Sequence, residues 1–311
     1  MRLTSVFVML SAVAAGVAGN AAIEAARAQQ GPPVPVMNLP SAGVEVPLRV
    51  QQGRPIVEVQ VDGKGPYTFL IDTGAAGYAR ADASLVKALN LEVVGQARGS
   101  SGQGGQAVAM PVVRLGTLQI GAASFSNVHA ASRDYNLRPN DVRLDGILGF
   151  GLFRECLVTL DFLNGKLRLQ PGALPEPDGA EVLPFTDGRG VTQIPIKVAG
   201  REVSAVLDTG APTILMLPEG MAAELPLAAP PKKVGQATTV SGPMDVNESD
   251  LKGSIAIGRH AIAEPTVGFS SAMRDALLGM HALRNFAITF DQKNKRVRFA
   301  RPGQEPIRIV R

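Results

Sequence analysis

The sequence predicts an all-β chain made of two homologous lobes with a few short helices. Short runs of Val, Ile, Leu and Thr are cut at close intervals by 34 Gly and 23 Pro in 311 residues, which is the punctuation of strands and turns. Long amphipathic helical patterns are missing. A stretch of chain also returns: Phe69-Leu70-Ile71-Asp72-Thr73-Gly74-Ala75 reappears as Ala205-Val206-Leu207-Asp208-Thr209-Gly210-Ala211.

The repeat is wider than that tripeptide. Asp72 meets Asp208 at an offset of 136. Leu118-Gln119-Ile120-Gly121 meets Ile255-Ala256-Ile257-Gly258 at 137. Asp145-Gly146-Ile147-Leu148-Gly149-Phe150 recurs 130 positions on as Asp275-Ala276-Leu277-Leu278-Gly279-Met280. The same offset pairs Arg154 with Arg284, Thr159 with Thr289, Asp161 with Asp291 and Asn164 with Asn294. A chance match would not bring this context; the drift in offset places insertions in loops. A period of about 130 residues suits a tandem of lobes rather than a solenoid.

Taken in order, residues 1–28 read as an export signal. Arg2 supplies the positive end, Ser5–Gly19 is apolar but short for a membrane span, and Ala26-Arg27-Ala28 is a small-residue cleavage site. Cutting there removes Arg2, Glu24 and Arg27 and lowers the formal charge from +4 to +3. The location expected is periplasmic or secreted, with no stable membrane span after cleavage. Residues 29–43, rich in Pro and Gln, read as a disordered linker.

Residues 44–175 form the first expected lobe and 176–311 the second. Each opens with a hairpin, turning at Asp62-Gly63 and at Ala199-Gly200. A strand then ends in Asp-Thr-Gly. Helical segments are expected over Ala81–Leu89, over Pro218–Leu225 and after Gly149 and Gly279. Gly-rich hairpins follow the Asp-Thr-Gly turns: Gly99, Gly102, Gly104 and Gly105 mark the first, and its counterpart is expected within Val234–Pro243. An aliphatic-aliphatic-Gly step, a helical turn and a closing hairpin end each unit.

Several function classes find no support. Aromatics are 5% with no Trp, and the basic residues are scattered among acids, so a nucleic-acid surface is not expected. The single Cys156 can form no internal disulfide and aligns with Phe286, which reads as a buried structural thiol. His129, His260 and His281 lack metal-ligand spacing and read as surface or local hydrogen-bonding residues. No Gly-x-Ser-x-Gly elbow occurs. Gly102-Gln103-Gly104 lacks the Lys-Ser/Thr ending of a phosphate loop.

Two carboxylates at the ends of apolar strands define a different chemistry. Gly after Asp-Thr lets backbone approach closely, its amide can bond the acid, and the Thr hydroxyl can brace the opposite loop. If the two loops meet across a two-fold axis, the like charges cannot both ionise easily and one proton is shared. One acid then activates water while the other protonates a carbonyl. Such a site needs no metal or organic cofactor.

At these residues the chain resembles the aspartic peptidases of the pepsin and retropepsin superfamily, over roughly Val44 to Pro302. The match is the paired motif: Leu70-Ile71-Asp72-Thr73-Gly74 with Ile147-Leu148-Gly149, and Val206-Leu207-Asp208-Thr209-Gly210 with Leu277-Leu278-Gly279. The resemblance implies two acid-protease-like β-barrel lobes related by a pseudo-two-fold, with Asp72 and Asp208 as the catalytic dyad. It implies Thr73 and Thr209 as the interlobe brace, the aliphatic-Gly steps as ψ-loops, and the Gly-rich hairpins as flaps. The activity implied is aspartic endopeptidase action on a peptide or protein substrate, with a monomer sufficient for the dyad. A peptide-binding pseudopeptidase of the same fold is the alternative. Ala75 and Ala211 stand where pepsin-like enzymes usually have Ser or Thr, as in the bacterial retropepsin-like pattern. Without those hydroxyls the dyad should hold its proton to higher pH. The first flap carries no Tyr.

Overall fold

The run Phe69-Leu70-Ile71 is the buried end of the strand Lys64–Asp72. It pairs antiparallel with Arg54–Val61 through a two-residue turn at Asp62 and Gly63, whose φ angles are +51° and +72°. Ala199 and Gly200, at +49° and +86°, make the equivalent turn between Gln193–Val198 and Arg201–Asp208. Two consecutive positive φ angles match the right-handed twist of paired strands. In this computed structural model the described residues are 33–101, 104–136, 141–188, 190–239 and 242–309.

The first repeat forms a nine-stranded sheet. It closes on itself because Gly104–Ile120 pairs with both Arg54–Val61 and Ala123–Arg133. The second repeat forms another nine-stranded sheet, running from Lys232–Thr239 through Leu215–Pro218 and Ala276–Gly279 to His260–Ala263. In each, the strand bearing the Asp lies parallel to the aliphatic-Gly strand: Ile147 sits opposite Leu70, and Leu277 opposite Val206. Where they pair with the aliphatic-Gly strands, Phe69-Leu70-Ile71 and Ala205-Val206-Leu207 are apolar and buried, as expected where both faces are covered.

A third, six-stranded sheet joins the repeats. The closing strands Leu157–Asp161 and Ala287–Asp291 pair antiparallel with Thr159 opposite Thr289. Their hydroxyls meet at 2.9 Å, so residues related by the 130-residue offset face each other across the pseudo-two-fold. Asp161 and Asp291 each accept the backbone amide of Asn164 or Asn294 at 3.1 Å and pin the hairpin that follows. Most of the buried apolar side chains of the two repeats join in one cluster. Phe150 packs edge-on against Phe290 at 5.4 Å, and its carbonyl accepts from Gln292 Nε2 at 2.7 Å. Each buried phenyl of this kind contributes roughly 1.5–3 kcal/mol.

Local expectations need three adjustments. Residues 29–43 are not linker throughout: Val36–Asn38 pairs with Ser124–Ser126 at a sheet edge, where backbone bonds offset the absence of apolar periodicity. The first helix starts at Ala83, because Ala81 and Asp82 are held in the strand Ala79–Asp82 between two neighbours. Asp82 caps it by accepting the Ser84 amide at 2.9 Å, and Asn90 ends it at φ +51°. The segment over Pro218–Leu225 is a 3₁₀ helix at Glu219–Glu224. The turns after the glycines are Phe150–Phe153 and Met280–Leu283. No described helix is long and apolar enough to cross a membrane.

Candidate active site

Asp72 and Asp208 are the last residues of their strands. Gly74 donates its amide to Asp72 Oδ1 at 2.9 Å, and Gly210 donates to Asp208 Oδ1 at 2.8 Å. Each loop turns so tightly that its glycine faces the other acid. A Cβ on Gly74 would stand 2.4 Å from Asp208 Cγ, and one on Gly210 would stand 2.7 Å from Asp72 Oδ2. Only glycine fits at either place. The two carboxyls lie within hydrogen-bonding reach of one another.

Thr73 and Thr209, both buried, lock the loops together. Thr73 Oγ1 donates to the Leu207 carbonyl at 2.8 Å, and Thr209 Oγ1 donates to the Ile71 carbonyl at 2.6 Å. Each hydroxyl also accepts the other threonine's amide.

Beneath each loop passes an aliphatic-Gly step. Gly149 donates to the Tyr78 carbonyl at 2.9 Å and Phe150 to the Ala75 carbonyl at 3.0 Å. Gly279 donates to Ile214 at 3.0 Å and Met280 to Ala211 at 2.8 Å. A Cβ at Gly149 would come within 2.6 Å of the Gly77 carbonyl, and one at Gly279 within 2.6 Å of that of Ala211. Leu148 and Leu278 are fully buried below, while Ile147 and Leu277 belong to smaller apolar clusters beside the loops.

Burial raises the Asp72 carboxyl above its ordinary range, although the positive charge of Arg80 and the Gly74 amide pull it down. Asp208 is pushed up to about 8, first by burial and then by the charge of Asp72. Like charges in a desolvated pair hold a proton between them. The side chains of Ala75 and Ala211 add no hydroxyl donor to either acid.

The candidate flap residues fall on a hairpin. Gly99 lies in Val93–Ser101 opposite Val108, and Gly104 in Gly104–Ile120 opposite Ser101, with Gly105 following. Gly102 lies outside the described residues. The second hairpin pairs Lys232–Thr239 with Gly242–Asp250. Two further close approaches run between the repeats. A Cβ at Gly53 would stand 3.5 Å from Pro212 Cβ and 3.8 Å from His281 Nε2, and one at Gly190 would stand 3.2 Å from Ala76 Cβ.

His260 is buried rather than at the surface, edge-on to Phe286 with Nε2 3.3 Å from the Phe299 carbonyl. Among the described residues no group of His, Cys, Asp and Glu could hold a metal ion. Sequence reasoning passed over Arg80 and Tyr135, which lie beside Asp72. The signal was available: at the offset of 136, Arg80 stands where the other repeat has Met216.

Two β lobes joined across a pseudo-two-fold, with a carboxylate pair at the joint, define the acid-protease class. Residues 57–152 and 194–282 match the family model described as aspartyl protease. The matched residues are more than half of the chain, one segment in each repeat, and the chain belongs to the aspartyl protease family. A comparison with curated proteins returned no match.

Proposed function

We propose that the chain is an aspartic endopeptidase that cleaves peptide bonds with a water activated between Asp72 and Asp208. The observation that carries this is the reciprocal packing of each loop glycine against the other loop's carboxyl. With the proton shared, the ionised acid takes a proton from water while the protonated acid hydrogen-bonds the scissile carbonyl. Burial raises both carboxyls, so the pair holds one proton; whichever acid is ionised serves as the base and its partner as the acid. Both acids come from one chain, so a monomer suffices. The Gly-rich hairpins are assigned as flaps over an extended peptide. An exported location is supported by Arg2, the apolar Ser5–Gly19 and the Ala26-Arg27-Ala28 step.

The test is cleavage of an unfolded protein over roughly pH 3 to 8, the span in which a shared-proton dyad changes state. Asp72→Asn and Asp208→Asn run beside it. Cleavage that disappears in both folded variants supports the reading. Cleavage surviving in either overturns it, and folded protein that binds peptide without cutting is the pseudopeptidase.

A further inference from the structure

The two repeats place the same strand at the same register beside the dyad but furnish it with opposite chemistry. In the second repeat Met216 lies opposite Leu277. With Met273 they form a buried apolar patch against Ala211, Met244 and Val246. In the first repeat Arg80 lies opposite Ile147. Directly opposed residues of an antiparallel pair share a face, so Arg80 projects on the side of Ile147, Leu70 and Ala75, next to the active loop.

Arg80 is half-buried. Among the described residues no carboxylate forms an ion pair with it. Asp72 feels its charge from beyond ion-pair distance. The buried hydroxyl of Tyr135 lies beside the Arg80 guanidinium, which can donate to it, and has no other hydrogen-bond partner among the described residues. Arg133 lies over the same ring, 5.3 Å from its centroid. The neighbouring acids are committed elsewhere: Asp82 to Ser84 and the Tyr135 amide, and Asp141 to Arg54. A half-buried guanidinium that no carboxylate pairs, beside a phenol hydroxyl buried against an apolar cluster, leaves an anion's hydrogen-bonding capacity unfilled.

Resting on the protease reading, we propose that Arg80 and Tyr135 form an anion-accepting subsite on the first-repeat side of the dyad. The substrate is then chosen by an acidic side chain on one side of the scissile bond and a large apolar side chain on the other, against Met216, Met273 and Leu277.

The test uses peptides of one sequence that differ only in the two residues flanking the scissile bond, with Glu, Gln or Leu at each. Cleavage is measured with protein from the full chain. Affinity for the same peptides is measured by fluorescence anisotropy on its Asp208→Asn variant. The expected result is a preference of at least about tenfold for Glu over its neutral isostere Gln at one flank, because a site built to bond a polar group rejects the analogue that cannot. In Arg80→Met, which installs the residue of the other repeat, the Glu to Gln ratio should fall to about one. Arg80→Lys should retain part of it. Equal use of Glu and Gln, or a ratio that survives Arg80→Met, overturns the subsite even where cleavage is brisk. Absence of cleavage together with an Arg80-dependent Glu preference in binding supports the subsite and overturns the protease reading instead.

Discussion

Thr73 and Thr209 each donate a backbone amide to the other's hydroxyl, at 3.1 and 3.2 Å, across the pseudo-two-fold. Each hydroxyl spends its own hydrogen on a carbonyl of the opposite repeat, one residue before that repeat's Asp. The acids are therefore placed by bonds from the other half of the chain, so that neither loop is correctly set without its partner.

Thr73→Val should expose this dependence. It keeps the shape but strands the Thr209 amide and the Leu207 carbonyl in a buried place. The expected loss is about 2–4 kcal/mol of stability in urea unfolding, with cleavage falling at least as steeply. Thr73→Ser, which keeps the hydroxyl, should recover most of both. A Val variant as stable as the parent would contradict the brace.

Gly74→Ala should damage the site more than the fold. The new methyl would meet Asp208 Cγ at 2.4 Å, so the carboxyl must move away. Displacing a reacting group by about 1 Å costs on the order of 100-fold in rate. Kinetics on the variant, with circular dichroism to confirm folding, decides the matter. Activity within a factor of a few of the parent would show that the dyad is not packed this way.

The dyad also sets a pH window. Asp208 rises from an ordinary 3.8 to about 8 in the folded chain. Folding therefore favours its protonated form. That contribution is fully present below about pH 4 and is lost as pH rises through about 8. Activity should fall along an alkaline limb near the same value. Asp208→Asn removes the titration, so its melting temperature should gain on the parent by at least about 2 °C between pH 6 and pH 9. Parallel melting curves at both pH values would place the shared proton elsewhere.

Cys156 should be inert in the native chain. It is buried where the other repeat has the fully buried Phe286, and burial pushes its thiol up to about 12. A thiol reagent at about pH 8 should label it only in denaturant, since the thiolate is the reactive form. Rapid labelling of folded protein would mean that the segment opens.

Much of the site was legible because chemistry and repetition coincide. Asp72 and Asp208 stood out as acids ending apolar strands, and the 130-residue offset brought Thr159 to Thr289, which meet in space. Arg80 and Tyr135 were not legible. They are far apart in sequence, and a lone Arg in a short strand reads as solvated until its register opposite Ile147 is known. The strand at Val36–Asn38 was missed because an edge strand draws on backbone bonds, which Pro-rich composition does not advertise.

The amino-acid sequence determined the class of fold, the duplication and the identity of the two acids. Those follow from local alternation of apolar runs and turns and from residue types at fixed spacing. Tertiary structure alone decided that the two carboxyls are buried side by side, that the glycines at 74 and 210 pack against the opposite acid, and that Arg80 in one repeat takes the place that Met216 takes in the other. Such properties depend on distances of a few ångströms between segments some 136 residues apart, and desolvation and Coulomb interaction at that range arise only once the chain has closed.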